Sequence, residues 1–400
     1  MWPTGFHVEG GQVAEALFAS KARSYINACS FMGYHSIYSP KEGLEVHLGI
    51  PALLDFYRQH QADDSLVLVT IIATEGSTYR KPGAMMLISR DQQFEGMISG
   101  GCLEGDLLHH AADVFTSGEP KFVDYDMHAD EDLVWSLGLG CDGVIHLMLQ
   151  RLDRGQDFGF LAQLESSQVQ RRSVLLALTT RSDAGPPVAS AALLDEADDS
   201  TGDPSLLGLL ADAAGQGWPD WRYRRVNSDD KGAPYEAILI NIPPQTRVLV
   251  CGAGPDAVPV VNTLCGLDWA VVVVDHRPAF AQADRFPLKC SVRQTRPETL
   301  TEVVDLNEID AAVVMSHHLE NDAAYLAQLA PSTIRYIGCL GPLARRQRLK
   351  DMAACPERQV FGPVGLDIGA ELPESIALSL VAEIHAVLNH RSGLPLTPPV

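Results

Sequence analysis

Ser99-Gly100-Gly101-Cys102-Leu103-Glu104 brings a thiol and a carboxylate out of a paired-glycine turn. Leu103, Leu107, Leu108, Ala111, Ala112 and Phe115 follow at helical spacing, so Cys102 falls where a helix starts. Unpaired backbone N–H groups and the helix dipole favour a thiolate there, and cysteines so placed titrate at roughly 3.5–7.5 instead of about 8.5. Glu104 works against that shift, and a small buried thiol filling a tight turn is the competing reading. Upstream, Gly76-Ser77-Thr78-Tyr79-Arg80-Lys81-Pro82-Gly83 combines glycines, hydroxyls and cations. That mixture suits an anion, and Arg80 can hold a phosphate through paired parallel hydrogen bonds. Cys141 is a second thiol in glycine-containing sequence ahead of a strand, with burial at the strand entrance as its alternative.

A second group of candidates lies further along. Gly252-Ala253-Gly254-Pro255-Asp256-Ala257 stands between the apolar runs 247–251 and 270–274, and the second run ends in Asp275, 23 positions after Gly252. This is the spacing of a dinucleotide-binding βαβ unit, with Asp275 in the place of the ribose-binding carboxylate. Pro259 belongs in a first helical turn, which makes Asp256 the natural N-cap and sets a carboxylate where a pyrophosphate would sit. The pattern thus speaks more strongly for the fold than for NAD(P) as ligand. Strands at 311–315 and 334–337 run into Ser316-His317-His318 and Gly338-Cys339-Leu340-Gly341-Pro342. In a parallel sheet these loops share one edge with Gly252, Gly254 and Asp275. Adjacent histidines point apart and no acid or cysteine spacing accompanies them, so hydrogen bonding is the expected role of His317 and His318, ahead of metal ligation. The run Gly362-Pro363-Val364-Gly365-Leu366-Asp367-Ile368-Gly369 holds one acid, read as buried, before a helix opened by Pro373-Glu374.

The elements that must position these residues form an α/β chain. Helices are expected at 13–26, 51–60 and after Cys102, and strands at 66–73, 85–89, 94–98, 143–151, 173–179 and 235–242. The acidic, glycine- and proline-containing stretch 195–217 reads as a solvent-exposed linker region. Pro243-Pro244 marks a boundary, giving an N-terminal extension (1–48), an α/β domain (49–245) and a Rossmann-like domain (246–400). A formal charge of −21 and a pI near 4.9 argue against nucleic acid and anionic membrane surfaces as partners. The eight cysteines are scattered without a CxxC pair, and no signal peptide or apolar run of about 18 residues is present, so a reducing cytoplasm is the expected setting.

Taken in order, these motifs resemble the XdhC/CoxI family of maturation factors for molybdenum hydroxylases such as xanthine dehydrogenase and carbon monoxide dehydrogenase. The resemblance runs from about Ile50 to Pro395 and rests on the Gly76–Gly83 loop, the Gly-Gly-Cys-Leu-Glu run, Leu139-Gly140-Cys141, the glycine turn at 252–257, Asp275-His276-Arg277-Pro278, the segment 316–322, Gly338–Pro342 with Arg345-Arg346, and the 362–369 loop. Tyr79 and Ser99 depart from the usual pattern. The resemblance implies an N-terminal mixed α/β domain followed by a Rossmann-like domain with a parallel sheet. It also implies a homodimer that binds molybdenum cofactor, protects it while a cysteine desulfurase supplies the sulfido ligand, and passes it to the apoenzyme; the favoured reading is a carrier with little turnover of its own.

Molybdopterin carries a phosphate, a dithiolene and an oxo-molybdenum centre, which call for backbone N–H groups, cations and a soft ligand. The candidate contacts in the first domain are Gly76, Ser77, Thr78, Arg80 and Gly83, then Gly100, Gly101, Cys102, Glu104 and Cys141, with Cys102 as the candidate molybdenum contact. In the second they are Gly252, Gly254, Asp275, His317, Gly338, Gly341 and Asp367. Two alternatives remain: an NAD(P)-dependent oxidoreductase, with His317 or His318 as proton relay, and an adaptor with vestigial pockets.

Overall fold

Apolar residues on both faces of a strand require cover on both sides, and the chain meets that demand three times. The computed structural model describes residues 49–101, 103–127, 143–156, 158–215, 217–230 and 233–397. The expected helix at 13–26 and Cys141 lie outside these residues, as does Cys102 itself.

The first sheet contains β1 (Ser65–Gly76), β2 (Met85–Ile88), β3 (Phe94–Gly96), β4 (Lys121–Asp126) and β5 (Gly143–Asp153) in the order β3-β2-β1-β5-β4, all antiparallel. Along β1, Val67, Val69 and Ile71 pack on the side of α2 (Glu104–Ser117), against Leu107, Ala111 and Val114. Leu66 and Leu68 point the other way, into a core with Leu53, Leu54, Phe56 and Tyr57 of α1 (Ile50–Gln59). Each such side chain contributes about 1.5–3 kcal/mol by leaving water.

A second antiparallel sheet shares that core. It holds β6 (Val174–Ser182), β7 (Ala191–Asp195), β8 (Ser200–Gly202), β9 (Tyr223–Asp230) and β10 (Ala233–Ile242) in the order β8-β7-β6-β10-β9. Leu176, Leu178, Ile238 and Ile240 face Leu66 and Leu68, with Leu161 and Leu164 of α3 (Leu161–Val169) in the same cluster. The opposite face, including Leu175, Ala177 and Leu239, is covered by Leu206 and Leu210 of α4 (Pro204–Ala214).

This corrects the expectation for 195–217, which is no exposed linker. Asp195 is buried and accepts from the N–H groups of Ala197 and Asp199, from Ser167 Oγ and from Arg172. Leu206 and Leu210 stand one helical turn apart, and Asp203 caps the helix ahead of Pro204. Residues 196–200 carry the charge outward and conceal that pattern when composition alone is read.

The third sheet is wholly parallel: β11 (Arg247–Cys251), β12 (Ala270–Asp275), β13 (Ser291–Gln294), β14 (Ala311–Val314) and β15 (Tyr336–Cys339), ordered β13-β12-β11-β14-β15. Val248 and Val250 face a core with α5 (Ala257–Gly266) and, after the short helix α6 (Leu300–Val303) and two further helices, α9 (Pro373–Leu388). Leu249 and Cys251 face α7 (Leu319–Leu329) and α8 (Leu343–Met352). The order reverses between β11 and β14, the topological switch point of a doubly wound sheet. β15 is displaced two residues along from the apolar run 334–337: pairing with β14 starts at Tyr336 and runs on through Gly338 and Cys339, and Gly338 also bridges Phe361.

Candidate functional site

Loops from four strands gather at one edge of the first sheet. Gly76 closes β1 opposite Gly143, Asp126 closes β4 opposite Val144, and Gly96 closes β3 opposite Met86 near the start of β2. The Gly76–Gly83 loop and the turn before α2 therefore leave the sheet on the same side, and residues 127 and 143, which flank Cys141 in the chain, stand there too.

Glu104 closes the thiol turn. Its side chain is buried, and Oε1 accepts from the N–H groups of Ile98 at 3.1 Å and Ser99 at 2.8 Å, while Oε2 takes Ser99 Oγ at 2.6 Å. Ser99 Oγ in turn accepts from Gly101 N–H at 3.3 Å and Leu103 N–H at 3.1 Å. Each hydrogen bond here is internal to the turn, so Glu104 is a clamp, and no ligand is needed to satisfy its carboxylate. Gly101, at φ 104°, takes a conformation that side-chain-bearing residues avoid. Gly100 is exposed and has open space on its Cβ side. Helix α2 starts only at Glu104, and both Glu104 and Asp106 lie in its first turn, so the helix end is more acidic than a thiolate-stabilising site would be.

In the neighbouring loop, Thr78 is buried and its Oγ1 donates to the Arg80 carbonyl at 2.9 Å and lies 3.4 Å from Lys81 Nζ. Gly83 N–H bonds the Ile71 carbonyl at 2.8 Å and carries the loop back along β1 to the start of β2. Ser77 is exposed. Arg80 is half-buried and makes no salt bridge with a carboxylate among the described residues. Burial, and next to it the positive charge of Arg222, lower the pKa of its guanidinium. Arg222 donates to Asn389 Oδ1 at 3.2 Å, at the end of α9. A desolvated guanidinium with no carboxylate partner among the described residues is an anion-seeking group.

The other candidates assemble separately, at the carboxyl ends of the parallel strands. Gly252 has φ 121°, and a Cβ there would stand 2.5 Å from the Met315 carbonyl oxygen, so only glycine lets the turn after β11 approach the chain leaving β14. Asp275 is buried, and one oxygen accepts from Ala253 N–H at 2.8 Å while Arg277 supplies its backbone N–H, Nε and Nη2 at 2.7–2.9 Å. Burial alone would raise its pKa, but the Arg277 and Ala253 donors together hold it below the ordinary carboxylate range. Arg285 Nη1 takes the Ala253 carbonyl at 2.7 Å, so the turn is pinned through both polar groups of one peptide residue. Asp256 lies at the N-cap position without capping, because its carboxylate has turned to His317 Nε2 at 2.6 Å. His317 reaches it from a left-handed backbone, φ 62°, and His318 accepts from Asn321 N–H as the cap of α7.

Gly338 is buried inside β15, and Gly341 sits against Arg345, whose Nη2 binds the buried Asp322 at 2.6 Å. Asp322 also holds Ser316 through its N–H and hydroxyl. Burial raises the Asp322 pKa, with Ser316 and Arg345 opposing the rise. Asp367, expected to be buried, is exposed. The polar group that organises its loop is Glu383, which accepts from Gly365 N–H at 3.0 Å and from Tyr336 OH at 2.6 Å.

Residues 59–126 match the XdhC and CoxI family and residues 248–384 the XdhC Rossmann domain. A protein of Bacillus subtilis, named as a probable component of xanthine dehydrogenase, is 30% identical over 328 residues, 80% of this chain and 92% of that protein. This chain belongs to the XdhC and CoxI family. The molybdenum cofactor insertion chaperone PaoD of Escherichia coli is 23% identical over 342 residues, 83% of this chain and 86% of the relative. A crystal structure of a Bacillus halodurans protein described as a xanthine dehydrogenase superposes with a TM-score of 0.67 at 30% identity, over 85% of this chain and 96% of that one.

The XdhC/CoxI chain departs from a dinucleotide site at the two positions that define one. The Asp275 carboxylate is already engaged by Arg277, and Asp256 Oδ1 lies 2.6 Å from where a Cβ on Gly254 would be, in the close-approach position of a pyrophosphate. These residues do not fit NAD(P) laid across the turn. Sequence reading missed Asp322, Arg345 and Glu383 as organisers of this edge. For Asp322 and Glu383 the signal was a charged residue inside an apolar helical pattern, seen most clearly at Asp322 among Leu319, Ala323 and Leu326, whereas Arg345 sits in a basic helix that singles it out in no way.

Proposed function

We propose that this chain is a maturation factor for molybdenum hydroxylases that binds molybdenum cofactor, shields it during sulfuration by a cysteine desulfurase, and inserts it into the apoenzyme. The names of the Bacillus subtilis and Escherichia coli relatives support the outline of that reading. The observation that carries it is the convergence, at one sheet edge, of the half-buried Arg80 with no carboxylate partner among the described residues and the clamped glycine turn that leads into Cys102. Arg80 takes the pterin phosphate; the backbone of the two loops supplies N–H donors; Cys102 offers a soft contact to the molybdenum centre or its sulfur. Glu104 keeps the turn in shape and does not touch the cargo. The protein works as a cytoplasmic homodimer, which closes the loaded edge against solvent.

The test is anaerobic titration with isolated molybdenum cofactor, followed by loading of a client apoenzyme. Arg80→Ala is expected to weaken retention, and Cys102→Ala and Cys102→Ser to lower the active fraction of the client while folding normally. If all three variants retain and deliver cofactor as well as the parent, the assignment of this edge is wrong.

A further inference from the structure

Cys265, in the last turn of α5, brings its Sγ within 3.2 Å of Cys290 Sγ, at the entrance to β13. We infer that this pair is a thiol–disulfide switch: oxidation staples the crossover between β12 and β13 to α5 and, through that crossover, stiffens the glycine turn after β11. Both thiols lie in the Rossmann half, and the inference does not rest on the maturation reading.

The crossover, residues 276–290, is lightly held. Parallel strands are usually joined through a helix, but here the regular structure is one short turn, Ala283–Arg285. Among these residues only Phe286 is buried, and the crossover feeds a four-residue edge strand that pairs with β12 alone. A segment with so little apolar burial opens locally at low cost. The same segment carries the groups that pin the glycine turn. Arg277 binds Asp275, whose carboxylate accepts from Ala253 N–H, and Arg285 Nη1 takes the Ala253 carbonyl. Opening the crossover therefore loosens the turn, and closing it holds the turn.

The two sulfurs are placed for a covalent closure. Lys289 Nζ lies 3.6 Å from Asp268 Oδ1, so the end of the crossover already runs along the end of α5. The sulfurs must approach by only about 1.1 Å to reach the length of an S–S bond. Cys290 is partly exposed and open to a soluble oxidant, whereas Cys251 and Cys339 are buried within strands, where burial raises both thiols and keeps them inert. The oxidant is a small-molecule disulfide such as oxidised glutathione. The Cys290 thiolate attacks one of its sulfurs, the S–S bond breaks, and one glutathione leaves as thiolate. Cys265, buried behind Cys290, then gives up its proton and attacks Cys290 Sγ, releasing the second glutathione. Two protein thiols are oxidised and one glutathione disulfide is reduced to two thiols.

The test equilibrates full-length protein in glutathione buffers of rising oxidised fraction and reads intact mass, peptide maps and amide hydrogen exchange. A Cys265–Cys290 bond is expected, reversed by excess reduced glutathione. In the oxidised form the amides of 276–294 and of Gly252 and Ala253 should exchange at least about tenfold more slowly than in the reduced form. Cys265→Ala removes the second nucleophile and should stop at a mixed disulfide on Cys290, heavier by about 305 Da. Cys290→Ser should give neither product, and its exchange should not respond to the buffer. The inference is overturned if the bond does not form, if reduced glutathione does not reverse it, or if exchange at the crossover and the glycine turn is the same in both forms. None of these readouts involves cofactor delivery, so each such failure leaves the maturation reading standing.

Discussion

Replacing Glu104 by alanine removes a buried carboxylate from three donors at once: the Ile98 and Ser99 N–H groups and the Ser99 hydroxyl. Hydrogen bonds to a charged acceptor are worth about 1.5–3 kcal/mol each, so the ceiling is about 4.5–9 kcal/mol. The Ser99 hydroxyl can rotate to another acceptor and water can enter beside the exposed Gly100, which brings the expected loss to about 3–5 kcal/mol. Glu104→Gln keeps an oxygen for the two N–H groups but sets an amide donor against the Ser99 hydroxyl, and about 1–2 kcal/mol is expected. Urea unfolding measures both, with the slope unchanged if only the native turn is affected. Because the clamp also shapes the approach to Cys102, the alanine variant should alkylate faster at that thiol than the parent. A Glu104→Ala stability within about 0.5 kcal/mol of the parent, with unchanged Cys102 reactivity, would refute the clamp and reopen Glu104 as a cargo ligand.

Acid should weaken the fold through Asp195 and Asp275, both held below the ordinary carboxylate range in the native state. Their contribution is complete above the unfolded value of about 3.9 and is lost as pH falls through the lower native values, so urea midpoints should drop below about pH 4. Asp322 has the opposite sign, because its native pKa is raised and acid relieves its burial cost. Arg277→Ala leaves the buried Asp275 carboxylate without its charged partner and should cost about 3–5 kcal/mol, measured by the same unfolding curves; a loss under about 1 kcal/mol would mean that water replaces the guanidinium. Cys265 Sγ and Cys290 Sγ stand 3.2 Å apart, so oxidised glutathione should join them with loss of roughly 2 Da, located by peptide mass mapping, and Cys290→Ser should abolish the product.

How much of this was legible in the sequence depends on whether the signal was local. β1, β11 and β12 announce themselves because both faces of each are buried, so their runs are almost wholly apolar: Leu66–Val69 and Ile71–Ala73 in β1, Val248–Cys251 in β11 and Ala270–Val274 in β12. The Gly252–Asp275 spacing needed no tertiary knowledge, since one βαβ unit contains it all. β9 was missed because Tyr223-Arg224-Arg225 are exposed along an edge strand and carry no alternation. The internal hydrogen bonding of Glu104 was not legible for a related reason. Its partners at Ile98 and Ser99 lie within six positions, but nothing in a residue type says whether a carboxylate faces solvent or turns back on its own loop.

Locality also makes the glycine turn of the parallel sheet a poor guide to its ligand. A βαβ fingerprint records what lets a turn approach closely, and here the approaching group is protein: the Met315 carbonyl at Gly252, and the Asp256 carboxylate over Gly254, held in place by His317. Gly252 is required whether or not a phosphate ever binds, because its near neighbour is backbone and its φ is positive. Chemistry at this edge has to be sought where donors and acceptors are left unspent. At the first sheet the same criterion selects Arg80, beside a turn whose own polar groups are satisfied internally.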